Sequence, residues 1–220
     1  MSTNLVARLV IIGALLAPLL VRASDAVVDS MGSTFVANLP TDWQAERGGW
    51  EFLDVMDCYV NGDSCYGNNP ASPYGYPLFK DFVRLKLGPS EAVVLFMRTP
   101  PEARYYGFTQ YLITRGRSLR QVLASLSDTL NHLSFSTLQT PEPGAYSFNQ
   151  YAVLVWTADM NTLASVKTQL AAQGIPESRV NFLPIPVGLP LYMGYGEDAD
   201  TFSILLRVAM PKVQAEFDQY

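Results

Sequence analysis

The chain of 220 residues carries 15 Lys and Arg against 20 Asp and Glu, one His and two Cys, with 49% hydrophobic, 12% aromatic and 16% charged residues. That content supports a packed core and excludes an acidic disordered tail, and a formal charge of −5 opposes a polyanionic partner. With 15 Gly and 15 Pro the composition suits one loop-containing α+β domain, far from collagen or low-complexity sequence.

Met1 to Arg8 is short and carries one positive charge, Leu9 to Val21 (LVIIGALLAPLLV) gives 13 residues without a charge, and Val21-Arg22-Ala23 places apolar or small side chains at the −3 and −1 positions of a cut. This is the pattern of a secretory signal peptide. As a helix the apolar run would span about 20 Å against a hydrocarbon core of roughly 30 Å, too short for an anchor. The expectation is therefore a signal peptide over residues 1–23 and a secreted or periplasmic chain over 24–220, with no stable membrane insertion after the cut. The cut removes Arg8 and Arg22 and no acid, moving the formal charge from −5 to −7. Nucleic acid and anionic lipid are disfavoured as partners.

Residues 24–80 read as an irregular N-terminal subregion, because Gly48-Gly49, Asn68-Asn69-Pro70 and Ser72-Pro73 interrupt any period. Trp43, Trp50, Phe52 and Leu53 suggest a short amphipathic helix within it. Cys58 and Cys65 flank Asn61-Gly62, a turn that brings two Cβ atoms together, so a disulfide is expected there, stabilising the loop by roughly 2.5 kcal/mol. Two Cys and one His fall short of the four ligands of a structural zinc site, and no metal or cofactor is expected.

Residues 81–220 read as the sheet and helix core. Phe82 to Leu87 alternates as a strand with one wet face, Gly88-Pro89 turns, and Ala92 to Met97 is a continuous apolar run, a buried strand expected to pair with the first as a hairpin. Thr99-Pro100-Pro101-Glu102 has the makings of one helical turn. Tyr105 to Thr114 is an aromatic-rich strand, Ser118 and Gln121 form a capping box for a helix carrying Leu119, Val122, Leu123 and Leu126, and Leu133 to Leu138 is a short strand. Tyr151 to Pro186 then reads as a βαβ unit: the strand YAVLVWT, Asp159 as N-cap, a helix with Leu163, Val166 and Leu170 on one side, Gly174 as its stop, and a strand over Val180 to Ile185. Strand, capped helix and strand followed by βαβ make the order β-α-β-β-α-β, a ferredoxin-like core within a mixed or antiparallel sheet. A strand over Thr201 to Val208 and a helical tail after Pro211 close the chain.

No motif names a reaction. His132 is the one imidazole, so a Ser-His-Asp or Cys-His mechanism would run through it, with Asp128 four residues earlier to orient the ring. No G-x-S-x-G elbow accompanies it. Glu197, Asp198 and Asp200 offer a carboxylate pair of the kind glycoside hydrolysis uses, though neighbouring acids in one loop are more often solvated. Catalytic candidates are thus His132, Asp128 and Asp200. Phosphate-cradling and dinucleotide fingerprints are absent. Arg104, Arg115 and Arg207 fall near strand ends and Asp159 at an element boundary; together with Tyr106 and Asn131 they are the candidates for a cleft that binds an oxygen-rich ligand. Tyrosines around the cysteine loop and along Tyr105 to Tyr111 add faces suited to a sugar ring or a protein surface. The expected function is an exported binding or interaction module for a small polar ligand, a glycan or a protein partner. The alternative is an exported hydrolase using His132 or an acid pair.

Overall fold

In the computed structural model the described residues are 7–12, 25–53, 59–62, 69, 72–78, 84–116, 120–140 and 142–220. Cys58 and Cys65, and with them the expected disulfide, lie outside this set. The strands are β1 (Ala7–Ile12), β2 (Trp43–Leu53), β3 (Tyr74–Leu78), β4 (Ala92–Arg98), β5 (Ala103–Arg115), β6 (Arg120–Ser125), β7 (Leu130–Asn131), β8 (Tyr151–Thr157), β9 (Val180–Pro184) and β10 (Thr201–Pro211). The helices named below are α1 (Ala26–Ala37), α2 (Met160–Ala172) and a short α3 (Gln214–Asp218). The protein is a mixed helix and sheet fold in which antiparallel pairing predominates. One sheet runs in the order β6-β5-β10-β3-β2-β1-β4-β8-β9, with β7 added on β5.

Residues 24–80 are more regular than their Gly and Pro content implies. Asp25 caps α1 by accepting from the backbone N–H of Val27 at 3.0 Å and of Val28 at 3.4 Å, and Val28, Gly32 and Phe35 form its buried side. Trp43 to Leu53 is a strand rather than an amphipathic helix. Its first half, Trp43–Gly48, pairs in parallel with β1, and its second half, Gly49–Leu53, pairs antiparallel with β3. Gly48-Gly49 sits at the change of partner, where a backbone without Cβ bends most readily. What reads as a break in period is the point at which one strand passes from one partner to the other.

Alternation along β4 and β8 shows how the layers form. Val93 and Leu95 of β4, with Leu154 and Trp156 of β8, join a large core with Phe108 of β5 and Phe202, Ile204, Leu206 and Val208 of β10. The intervening Ala92, Val94, Phe96, Val153 and Val155 face α1 and α2, meeting Val28, Phe35, Leu163, Val166 and Leu170. Both faces of these strands are therefore covered, which accounts for the unbroken apolar runs in their sequences.

Several expectations are corrected. Ala92 to Arg98 does not form a hairpin with the preceding segment; it pairs with β1 and β8. Among the described residues of 82–87, the ladder is reduced to one antiparallel bridge between Leu85 and Phe202. No helical turn follows Thr99, whose hydroxyl instead accepts from the backbone N–H of Gln150 at 2.9 Å. In place of the helix expected here, the described residues Arg120–Ser125 are strand β6 on the edge of β5. At 13 residues β5 exposes ladder groups that a neighbouring strand satisfies, and this tertiary demand outweighs a local helical period. Leu123, at φ +47°, carries the distortion near the register shift opposite Leu112 and Thr114. Leu133 to Leu138 is not a strand either; Asn181 of β9 holds it with its side chain, accepting from Ser136 N at 2.8 Å and donating to Ser136 O at 2.8 Å. With the first helix replaced by a strand, the described residues do not follow the order β-α-β-β-α-β.

The βαβ unit over β8, α2 and β9 forms as read. β8 and β9 are parallel from Val153 opposite Val180 to Thr157 opposite Pro184, and Gly174 follows α2 at φ +81°.

Candidate functional site

Two places gather residues singled out by sequence, and a third place of interest holds none of them. The first surrounds His132, which follows β7. Its ring lies 5.8 Å from Tyr105, 6.0 Å from Tyr106 and 5.6 Å from Phe148, centroid to centroid. Its Nδ1 is buried and has no hydrogen-bond partner among the described residues. The exposed Asp128 therefore does not orient it. The nearest hydroxyl interaction involves backbone: Ser147 Oγ donates to His132 O at 3.0 Å. Tyr106 is fully buried and donates to Ser147 O at 3.1 Å. Burial pushes its phenol far above the usual range, against the opposing effect of the Ser147 bond. Asn131 Oδ1 accepts from Leu133 N at 2.9 Å and shapes the turn. This cluster is an aromatic plug in which Tyr106 is walled off from any ligand.

The second place is the far end of β5, where Arg115 and Asp200 meet. Asp200 is fully buried and its carboxylate accepts from Tyr192 N at 2.9 Å and Gly116 N at 3.2 Å, with Arg115 Nε 3.9 Å away. Arg115 also donates to Pro190 O and lies over the Tyr192 ring at 5.5 Å. Both charges are committed to holding the segment between β9 and β10 against the sheet. Thus Asp200 stands apart from the proposed general acid or base role: its oxygens point at backbone donors, not at a cleft.

The remaining candidates are scattered. Asp159 caps α2, accepting from Asn161 N at 3.3 Å, Thr162 N at 3.0 Å and Thr162 Oγ1 at 2.7 Å. Burial acts to raise its carboxyl, but the Thr162 hydroxyl and the Thr162 and Asn161 amides hold it below the ordinary value. Arg207, exposed on β10, lies over the Tyr74 ring at 5.9 Å. Arg104 is exposed near the start of β5. Of the tyrosines near the cysteine loop, Tyr74 is buried and Tyr76 donates to Glu51 at 3.2 Å, so both belong to the sheet. Among the described residues no group of three or more His, Cys, Asp or Glu is arranged to hold a metal ion.

The third place is one that sequence reading missed. A concave surface of about 540 Å³ lies between α1 and the end of α2. Ala26, Val27, Ser30, Met31 and Thr34 supply one wall from a single face of α1, and Leu138, Gln173 and Ile175 supply the other. No charged side chain lines it. The Gln173 amide nitrogen is buried there without a hydrogen-bond partner among the described residues, a donor left without an acceptor. The signal in the sequence was Asp25 followed by Val28, Met31 and Phe35, the spacing of a capped helix.

Compared with known protein families, with curated proteins and with solved structures, the chain matches none.

Proposed function

We propose that this chain is an exported binding module, secreted or periplasmic, whose groove between α1 and α2 takes a neutral, largely apolar small molecule. The observation that carries this reading is the lining: hydrocarbon from Ala26, Val27, Met31, Leu138 and Ile175, a few hydrogen-bonding groups from Ser30, Thr34 and Gln173, and no charge. Ligand sites combine an apolar wall with a small number of polar groups that fix orientation, and this lining has both. Gln173 supplies the orienting donor, meeting a ligand carbonyl or ether oxygen after a side-chain rotation. A charged or heavily hydroxylated ligand finds no compensating partners on this wall, so the module favours apolar over oxygen-rich molecules. Binding is also favoured over hydrolysis because His132 lacks an orienting acid and Asp200 is engaged by backbone.

A neutral solvatochromic dye tests the site. Its emission should rise and shift to the blue with the native chain. Ser30→Trp, which fills the groove from an exposed position, and Thr34→Lys, which charges it, should each weaken binding about tenfold or more. Dye binding indifferent to both substitutions sinks the proposal.

A further inference from the structure

β1 lies between β2 and β4. Ala7 to Ile12 pair in parallel with Trp43 to Gly48, and Leu9 to Ile12 with Ala92 to Leu95. The β4 bank is apolar on both faces: Val93 and Leu95 belong to the larger core, Ala92 and Val94 to the core under α1 and α2. On β2, Trp43 and Ala45 pack against that second core. Both banks are held from their far sides. β4 pairs antiparallel with β8 from Ala92 opposite Thr157 to Arg98 opposite Tyr151. β2 pairs antiparallel with β3 from Gly49 to Leu53, and Arg47 donates to Ser33 Oγ of α1 at 2.9 Å. The two halves of the sheet are also joined without β1, through the core that Leu95 and Leu154 share with Phe108 and Phe202 and through the bond from Trp156 to Gln110 at 2.7 Å.

We propose that the cut after Ala23, part of the export reading on which this inference rests, opens a slot between β2 and β4, and that the slot takes an extended apolar segment of another polypeptide running parallel to both strands. With β1 gone, β2 and β4 stand two strand spacings apart, about 9–10 Å. Backbone groups of β4 that faced β1 then lack partners, beside side chains such as Val93 and Val94 that are fully buried. An inserted strand satisfies two ladders at once, where strand addition at a sheet edge satisfies one. β1 defines what fits: a parallel direction, and the uncharged run Leu-Val-Ile-Ile at positions 9–12, which pair with both banks. Apolar residues in succession suit a strand whose neighbour is covered on both faces. A second copy is a poor donor, because among the described residues after Ser24 the comparable apolar runs, in Ala92–Arg98 and Tyr151–Thr157, are themselves strands of the core.

A fluorescently labelled peptide of residues 7–12, added to the chain recovered after export, tests this. Binding should saturate, and amide exchange at Val93 to Leu95 should slow by about tenfold or more when the peptide is bound. The peptide variant Val10→Pro loses a ladder N–H in the middle of the strand and should bind about tenfold or more weakly, with the protein itself unaltered. The uncut chain, with β1 in place, should not bind. A chain that starts at Ser24 and ignores the peptide overturns the proposal and leaves export standing, all the more if Val93 to Leu95 are already protected because β2 has closed onto β4. Equal binding of the proline peptide, or equal binding to the uncut chain, overturns it as well. Self-association without peptide that protects the same amides would give the slot to a second copy instead. Recovery with Met1 retained would remove the slot together with the export reading.

Discussion

Trp156 Nε1 donates to Gln110 Oε1 across 2.7 Å, joining β8 on one side of the large core to β5 on the other. The Gln110 amide nitrogen continues the link, donating to Ser127 Oγ at 2.9 Å and to Pro184 O. Both side chains are fully buried, so neither end of this bridge has water as a substitute partner. Gln110→Leu keeps the approximate volume and strands the indole N–H and the Pro184 carbonyl. The expected loss is about 3 kcal/mol, the scale of leaving buried polar groups unpaired. For a chain of this size that corresponds to roughly 6–12 °C in Tm, measured by thermal unfolding.

Asp200 makes a separable contribution at the loop between β9 and β10. Asp200→Ala removes the acceptor for Tyr192 N and Gly116 N and the carboxylate that lies 3.9 Å from Arg115 Nε. The expected cost is about 3 kcal/mol. Asp200→Asn retains one acceptor oxygen and should cost less. Urea unfolding ranks the two, and amide exchange should quicken at Tyr192 and Gly116 before it does in β5.

The parts of the fold legible in the sequence are those whose signals are local. In β8, α2 and β9, the strand YAVLVWT, the capping Asp159, the spacing of Leu163, Val166 and Leu170, and Gly174 all point the same way, and the unit forms. Residues 120–125 show the opposite case. Their period of three to four is overridden by the unpaired edge of β5, a demand set by residues far away in sequence. Gly48-Gly49 was equally opaque: the glycines mark the change of partner within β2, and only the pairing of β2 with both β1 and β3 shows it. For the site, Arg115 and Asp200 do meet, yet as an anchor for backbone. The groove was missed because its main wall, α1, was read into an irregular stretch on the strength of the Gly and Pro clusters that follow it.

Asp159 gives α2 a pH-dependent end. Although burial opposes it, the bonds from Thr162 and Asn161 depress the carboxyl. A depressed folded-state value means that the stabilisation is present above the unfolded aspartate value of about 3.9 and is lost as pH falls through the folded one. Asp159→Ala should therefore cost about 1 kcal/mol at neutral pH, the usual worth of an N-cap. The gap between variant and native chain should close progressively below about pH 4. Asp159→Asn, a neutral cap, should show a smaller penalty at neutral pH and should separate the charge effect from the capping geometry. Chemical denaturation at a series of pH values provides the comparison.

His132 separates a structural from a catalytic role by a substitution that changes polarity and little else. Its Nδ1 is buried and unpaired while Tyr105, Tyr106 and Phe148 surround the ring. Replacing an unsatisfied buried polar group by an apolar one of similar shape is neutral or stabilising. His132→Phe should accordingly leave stability unchanged or raise it by about 1 kcal/mol, and leave dye binding in the groove untouched. A turnover of ester or glycoside substrates by the native chain that His132→Phe abolishes would instead place the imidazole in a reaction.

The segment read as a signal peptide contains β1. Ala7–Ile12 pairs in parallel with Trp43–Gly48, and Leu9–Ile12 with Ala92–Leu95, so this strand lies inside the sheet. A cut after Ala23 would take it away and leave β2 and β4 without a partner along that stretch. The proposed export fixes two expected outcomes. Mass spectrometry of the chain recovered outside the producing cytoplasm should show Ser24 at its start, and recovery there with Met1 retained would contradict cleavage. Comparison of the cleaved chain with the uncut one by hydrogen exchange should then localise the consequence. Amides of Val93 to Leu95 that rely on β1 should exchange faster by about tenfold or more, a loss of roughly 1.4 kcal/mol or more in local protection. The parallel pair β8 and β9, separated from β1 by β4, should retain its protection. Unchanged exchange at Val93 to Leu95 after the cut would mean that the ladder on that side of β4 had been satisfied in another way.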